Sequence, residues 1–288
     1  MLFNSYIFIF VFLPLTLCGY YGLHRLGSPV LAKIELILMS FWFYGYFNQS
    51  YLWIMCSSIL VNYVLSQLLQ KKWEISGKKL QMLKNGLLCV GLFFNLGLIF
   101  YFKYYDFFVT SFCDVFHLTP GVLNLILPVG ISFYTFQALS YTIDVYTGKI
   151  EKEKSFLQFA LYLSFFPQLV AGPIVKASEF LPQLKENRKV TLAGLESGIQ
   201  IFVFGMFKKV VLADNISVFV DEVYRSPQIF GSGTVALAVA AYAIQIYMDF
   251  SGYSDMAIGC AKCMGYELPV NFNLPYISHN VSEFWKRW

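Results

Sequence analysis

Residues Phe156–Val175 read FLQFALYLSFFPQLVAGPIV, an apolar run long enough to cross a membrane yet unfit to be one plain helix. Pro167, Gly172 and Pro173 interrupt it toward its end, and a proline inside a helix removes a backbone donor and clashes with the preceding turn. Both flanks are basic. Lys149, Lys152 and Lys154 precede the run; Lys176, Lys185, Arg188 and Lys189 follow it. Lysine and arginine in short loops mark the cytoplasmic side. Two cytoplasmic flanks imply a re-entrant segment that enters the membrane and returns. Irregular backbone at membrane depth is tolerated only against protein or a water-filled cavity, so the segment also points to a site.

The rest of the chain has the same character. Of its 288 residues 57% are hydrophobic and 13% charged, and the mean hydropathy is +0.58. Soluble domains carry about 25% charged residues. Apolar segments fall at Leu2–Tyr21, Val30–Phe47, Tyr51–Leu69, Leu87–Phe102, Val122–Ile143, Phe156–Val175, Gly198–Val220 and Thr234–Phe250. Ser251–Trp288 is mixed and ends in aromatic and basic residues. The fold class expected is all-α: a polytopic transmembrane helical bundle with broken or re-entrant helices, in one domain over residues 1–288. No lysine or arginine precedes the first apolar run; the first is Arg25. A secretory signal opens on a basic region, so a retained first span is expected.

Loop charges orient the bundle. Gln70–Gly86 carries five lysines against Glu74 and should be cytoplasmic, as should His24–Pro29 with Arg25. The N-terminus, Asn48–Ser50 and Lys103–Pro120 then lie outside.

No basic stripe or nucleic-acid module is present, which sets nucleic-acid binding aside. Cys260 and Cys263 form a C-x-x-C in a glycine-rich apolar segment with no second pair, and read as packing cysteines.

Polar groups inside apolar segments are costly and usually functional. In Leu127–Asp144, Pro128 and Gly130 break or begin a helix, and Ser132, Tyr134, Gln137, Tyr141 and Asp144 follow. Tyr134, Gln137 and Tyr141 share a face at i, i+3 and i+7; Ser132 does not. They form either an interhelical hydrogen-bonding stripe or a substrate-lined wall. In Gln245–Asp255, Asp249 and Asp255 lie among Ser251, Gly252, Tyr253 and Ser254. These carboxylates suit a broken helix whose backbone amides they cap, a polar network, or acid–base work. No third acidic ligand is nearby, so no metal is expected. Lys208 and Lys209 need partners, Asp214 or another carboxylate. His24, His117 and His279 show no nucleophile–base spacing.

The blocks LPVGISFYTFQALSYTIDVYTG, FFPQLVAGPIVKASEFLPQL, GMFKKVVLADN, YAIQIYMDFSGYSDMAIG and LPVNFNLPYISHNVSEFWKRW resemble, in this order, the membrane-bound O-acyltransferase family. Within it they are similar to the alginate O-acetyltransferase branch, which includes the D-alanyl transfer protein of teichoic acid synthesis. The resemblance is strong over residues 125–288.

It implies a multi-pass enzyme of the bacterial cell membrane that passes an acyl group across the bilayer to an exported polysaccharide. The donor would be acetyl-CoA or an acylated carrier protein, with no resident cofactor. Implied partners are the lipid bilayer, an extracytoplasmic acyl-transfer protein, the polysaccharide and a cytoplasmic carrier protein. The family's catalytic histidines follow the F-W-[KR]-R-W block, here Phe284–Trp288, so none falls within this sequence. An N-terminal portion of a larger enzyme, inactive by itself, is expected. Ser132, Tyr134, Gln137, Pro167, Gln168, Gly172, Pro173, Asp249, Ser251, Tyr253 and Asp255 would line the channel, with Trp285 and Arg287 near the donor side. A transporter or flippase component is the rival reading: broken helices and intramembrane charges suit it, but internal symmetry is not evident.

Overall fold

The computed structural model describes residues 1–75, 77–170, 172–186 and 191–288. Arg188 and Lys189, counted above among the basic flanks, lie outside them. The helices are α1 (Leu13–Arg25), α2 (Pro29–Gly45), α3 (Leu52–Leu69), α4 (Lys78–Ile99), α5 (Tyr105–Phe116), α6 (Ile131–Thr147), α7 (Phe156–Ser164), α8 (Phe166–Leu169), α9 (Ala177–Lys185), α10 (Leu192–Met206), α11 (Asp214–Arg225), α12 (Ser232–Cys263) and α13 (Val281–Arg287). No strand occurs among the described residues. Three helical stretches among them are long and apolar enough to cross a membrane: Gln49–Leu69, Lys78–Phe116 and Ser232–Cys263. The protein is an all-helical membrane protein. The chain packs as two compact units.

One unit comprises Leu26–Val170 and Ile174–Asn187. Buried amides hold its spanning helices together. Asn62 on α3 and Asn95 on α4 exchange two hydrogen bonds, of 3.1 and 2.9 Å, and Thr142 on α6 donates to Asn62. Such polar pairs are the glue available where lipid is as apolar as leucine. At the end of α3, Gln67 donates to the Glu153 carbonyl, Gln70 donates to the Ile150 carbonyl and accepts from the Lys152 amide, and Tyr63 donates to the Lys154 carbonyl. The Lys149–Ser155 loop is thereby tied to the end of α3 that leads into the lysine-rich Gln70–Gly86 stretch.

Two boundaries differ from expectation. Lys103–Pro120 is not a loop. The helix that begins at Lys78 continues through a π-helical turn, Phe100–Tyr104, to Phe116, about 58 Å at the usual rise. Lys103 and Asp106 end the apolar run but do not break a helix; His117, at φ 55°, does. Val122–Ile143 is not one helix either. Residues 118–128 are without helix, and α6 starts only at Ile131, after Gly130 at φ 74°. The Asp106 carboxylate accepts the Leu123 and Asn124 amides at 2.7 and 2.9 Å and secures that stretch.

The other unit comprises Met1–Arg25, Ala171–Pro173 and Arg188–Trp288. Its spine is α12, unbroken for 32 residues, against a helix running from Leu192 to Arg225 through a π-helical segment, Phe207–Ala213. The two meet at glycines. A Cβ on Gly205 would lie 2.6 Å from the Gly252 carbonyl oxygen, and one on Gly259 2.6 Å from the Gly198 carbonyl oxygen. With glycine at all four positions the backbones touch, as small residues allow in membranes. Gly252 therefore does not break α12, and the expected broken helix around Asp249–Asp255 is absent: a close neighbour, not a turn, requires that glycine. Cys260 and Cys263 are buried free thiols in this packing. Beyond α12, Phe272, Tyr276 and Trp288 gather around Tyr247.

Candidate active site

In the first unit the site is the break between α7 and α8. Phe165 adopts φ −55° and ψ 108°, which ends α7, and Pro167 stands in the first turn of α8, where its missing N–H costs nothing. Breaking a helix in a membrane frees backbone groups that lipid cannot satisfy. Here side chains satisfy them. The Tyr162 carbonyl accepts from Gln137 Nε2 at 3.3 Å and from Gln168 Nε2. The Phe166 amide donates to Ser40 Oγ at 3.1 Å. The Tyr162 hydroxyl donates to the Val175 carbonyl at 3.2 Å. Gly130, opening α6, lies so close to the Leu169 carbonyl that a Cβ would overlap it.

The segment also returns to the end it left. Lys185, at the close of α9, pairs with Glu153, just before α7, at 2.9 Å. The side of the membrane is not thereby given, but both flanks lie together as a re-entrant path requires.

The predicted residues divide accordingly. Tyr134, Gln137 and Tyr141 are buried on α6, and Tyr141 accepts the Glu153 amide. Ser132 is half-buried nearby, off that face. Pro167 and Gln168 are buried in α8. Gly172 and Pro173 are buried, in the other unit. The break thus brings together Gln137 and Gln168. Reading the sequence missed Ser40 and Tyr162; a lone serine in the apolar run of α2 carried the same signal as the polar residues that were singled out.

In the second unit the charged residues form a network. Lys208 Nζ meets Asp255 Oδ2 at 2.7 Å; Lys209 Nζ meets Asp214 Oδ1 at 2.8 Å and also Asp249. Both lysines sit in the π-helical segment, and the aspartates lie on α11 and α12, so the expected pairing holds and the helix-cap alternative does not. Ser251 is buried, and the Tyr253 hydroxyl reaches Asn4 at 3.3 Å. Trp285 and Arg287 are not part of this network. Trp285 is 67% exposed, and Arg287 is held by Glu283 at 2.8 Å. The amide of His279 donates to Glu283 Oε2. That bond, with Arg287, holds the Glu283 carboxyl below its ordinary value.

A family model for the membrane-bound O-acyltransferase family matches residues 36–288. The chain is 36% identical to a peptidoglycan O-acetyltransferase of Helicobacter pylori, over all of this chain and 59% of that protein. It is 36% identical to a probable alginate O-acetylase of Pseudomonas putida, over all of this chain and 58% of that one. A teichoic acid D-alanyltransferase of Streptococcus thermophilus is 29% identical over 58% of this chain. The chain spans little more than half the length of the first two relatives.

Proposed function

The chain belongs to the membrane-bound O-acyltransferase family, and from that premise we propose that it forms the membrane-embedded wall of an enzyme that transfers an acyl group to a hydroxyl of an exported cell-surface polysaccharide. The observation that carries the reading is the α7–α8 break. It is an irregular backbone inside a membrane protein, formed at Phe165–Leu169 of the FFPQL run and satisfied by buried side chains, Gln137 of the LPVGISFYTFQ block among them. Irregular backbone is tolerated at membrane depth against protein or a water-filled cavity; in this reading the buried break forms the wall of the acyl path. Gln137, Pro167 and Gln168 hold that wall, with Ser132 and Tyr134 on neighbouring positions; Gly172 and Pro173 belong to the other unit. Asp249, Ser251, Tyr253 and Asp255 belong to the charged helix pair of the other unit.

Acetyl transfer is favoured over D-alanyl transfer because both full-coverage relatives cited are named for O-acetylation. Their names point to alginate-like polymer or peptidoglycan as acceptor. The donor is acetyl-CoA or an acylated carrier protein, and the protein is a multi-pass component of the bacterial inner membrane working with an extracytoplasmic partner. Transfer to a hydroxyl needs a base, worth about 10²–10⁴-fold in rate. In this proposal the base is a histidine following the Phe284–Trp288 block, not His24, His117 or His279.

The test is expression of this sequence, with whatever follows Trp288 in its reading frame, in a host lacking its own enzyme. Ester-linked acyl groups on exported polymer are released by mild base and identified. Acetate, unaffected by His279→Ala, supports the reading. D-alanine selects the alternative. Loss of acylation in His279→Ala, in protein that still reaches the membrane, overturns the assignment of the base.

A further inference from the structure

A cavity opens between α2 and α3, beside the turn that joins them. The turn is fixed. Asn48 Oδ1 accepts the Ser50 amide at 2.9 Å, and Tyr51 donates to the Ile126 carbonyl. Gly45 lies against Leu52: a Cβ there would stand 3.0 Å from Leu52 Cδ1. Beyond that contact the two helices lean on different neighbours, α2 on α7 and α8, α3 chiefly on α4 and α6. The space left between them is about 670 Å³, within the range of ligand sites, about 300–1,000 Å³.

The lining narrows the ligand. Phe41, Trp42 and Tyr46 stand on the α2 side, Leu52, Trp53 and Cys56 on the α3 side, and Gln49 at the turn. None of the described residues that line the cavity is charged, so a phosphate or a cation would go unpaired there. A sugar carries hydroxyls all round, and apart from Gln49 the lining offers it two indole N–H groups, one phenol and a weak thiol. A hydrocarbon chain needs none of these. Trp42, Tyr46 and Trp53 are 41%, 52% and 80% exposed, and Trp53 stands near the start of Gln49–Leu69, a stretch able to cross a membrane. Tryptophan and tyrosine at such an end mark the headgroup level. Phe41 and Cys56 lie a turn further from the loop, about 6 Å deeper. The cavity therefore runs from the interface into the hydrocarbon layer. A tail gains nothing hydrophobically by leaving lipid for protein. It is retained by dispersion contacts with the aromatic walls, each small and collectively large.

We propose that the α2–α3 cleft holds one acyl chain of a bilayer phospholipid, its headgroup beside Tyr46, Gln49 and Trp53, in the leaflet opposite the lysine-rich Gln70–Gly86 stretch at the other end of α3. The bound tail fills a gap that the two helices leave, and steadies the hairpin that supplies Ser40 and Phe43 to the helix break. This inference does not depend on the acyl-transfer reading, because the lipid is a fixed part of the fold and not the transferred group.

The test uses the chain expressed with its full reading frame, in nanodiscs of phosphatidylethanolamine that carries a diazirine in one acyl tail. After irradiation, lipid adducts are mapped by peptide mass spectrometry. Phe93 is the reference, a residue of the α4 span that is 83% exposed and open to any surrounding lipid. Adducts at Phe41, Trp42, Trp53 and Cys56 several-fold more frequent than at Phe93 are expected. Equal or lower frequency overturns the proposal, whether the cleft is empty, bathed by passing lipid or covered by a second copy of the chain. Cys56→Trp and the milder Cys56→Leu fill the cavity and should bring the excess at the other positions down to the Phe93 level, while Cys56→Ser, which leaves the space, should keep it. An excess that survives both filling variants in protein that reaches the membrane overturns the assignment to this cavity.

Discussion

Lys185 stands 2.9 Å from Glu153, so residues on either side of an apolar run long enough to cross a membrane share one end of their unit. Glu153 is buried while Lys185 is 59% exposed, and the carboxylate also accepts the Ser155 amide. The loop before the run is thus tied to the helix that follows it.

That pairing predicts equal sidedness. In a cysteine-free background, Lys154→Cys and Glu186→Cys should respond alike to an impermeant thiol reagent in intact cells, both unlabelled on the cytoplasmic assignment. Labelling of one alone would make Phe156–Val175 an ordinary span.

The two glutamines on the Tyr162 carbonyl should couple. Gln137→Leu and Gln168→Leu each leave that carbonyl one donor, so each should cost about 0.5–1.5 kcal/mol. The double variant leaves it none and should cost more than the sum of the singles. Thermal denaturation in detergent supplies the cycle; strict additivity would show that the carbonyl does not depend on them jointly.

Gly205 and Gly252 are set by contact. Gly205→Ala places a Cβ 2.6 Å from a backbone oxygen, and overpacking of this kind costs about 1–3 kcal/mol. Gly97→Ala, whose Cβ would meet nothing within 4 Å, should leave the melting midpoint unchanged or raise it. Equal effects at the two positions would contradict the close approach of the helices.

Lys208 and Asp255 should depend on each other. Asp255→Asn leaves the Lys208 charge without its 2.7 Å partner and should lower yield and melting midpoint. Lys208→Met combined with Asp255→Leu removes both charges and should recover most of the loss, since replacing an ion pair costs less than orphaning one member. No recovery in the double variant would indicate a role beyond pairing.

Glu283 should make α13 acid-sensitive. Its folded carboxyl lies below the ordinary 4.5, chiefly through the His279 amide and then Arg287. The contribution is complete above 4.5 and is lost as pH falls through the lowered value. With Trp42, Trp53, Trp73 and Trp285 replaced by phenylalanine, Trp288 emission should shift over that acid range, and Glu283→Gln should abolish the step.

The sequence by itself determined the membrane, the all-helical class and the broken passage at Pro167, because apolar length, loop lysines and proline act locally. It marked Gln137, Gln168, Lys208, Asp249 and Asp255, because a polar side chain in an apolar run is conspicuous without any neighbour. What each of these residues touches was decided only by the tertiary structure. Gln137 and Gln168 lie 31 positions apart and meet on one carbonyl. Gly252 reads as a helix breaker until Gly205 is seen against it. Asp249 and Asp255 read as caps, network members or acid–base groups until Lys209 and Lys208 approach from another helix. The helix through Lys103 and the non-helical stretch before Ile131 were misread for the same reason. A single charge does not by itself end a helix, and apolar residues do not make one where Asp106 holds the backbone amides. Pattern records which groups need a partner, and packing alone selects the partner.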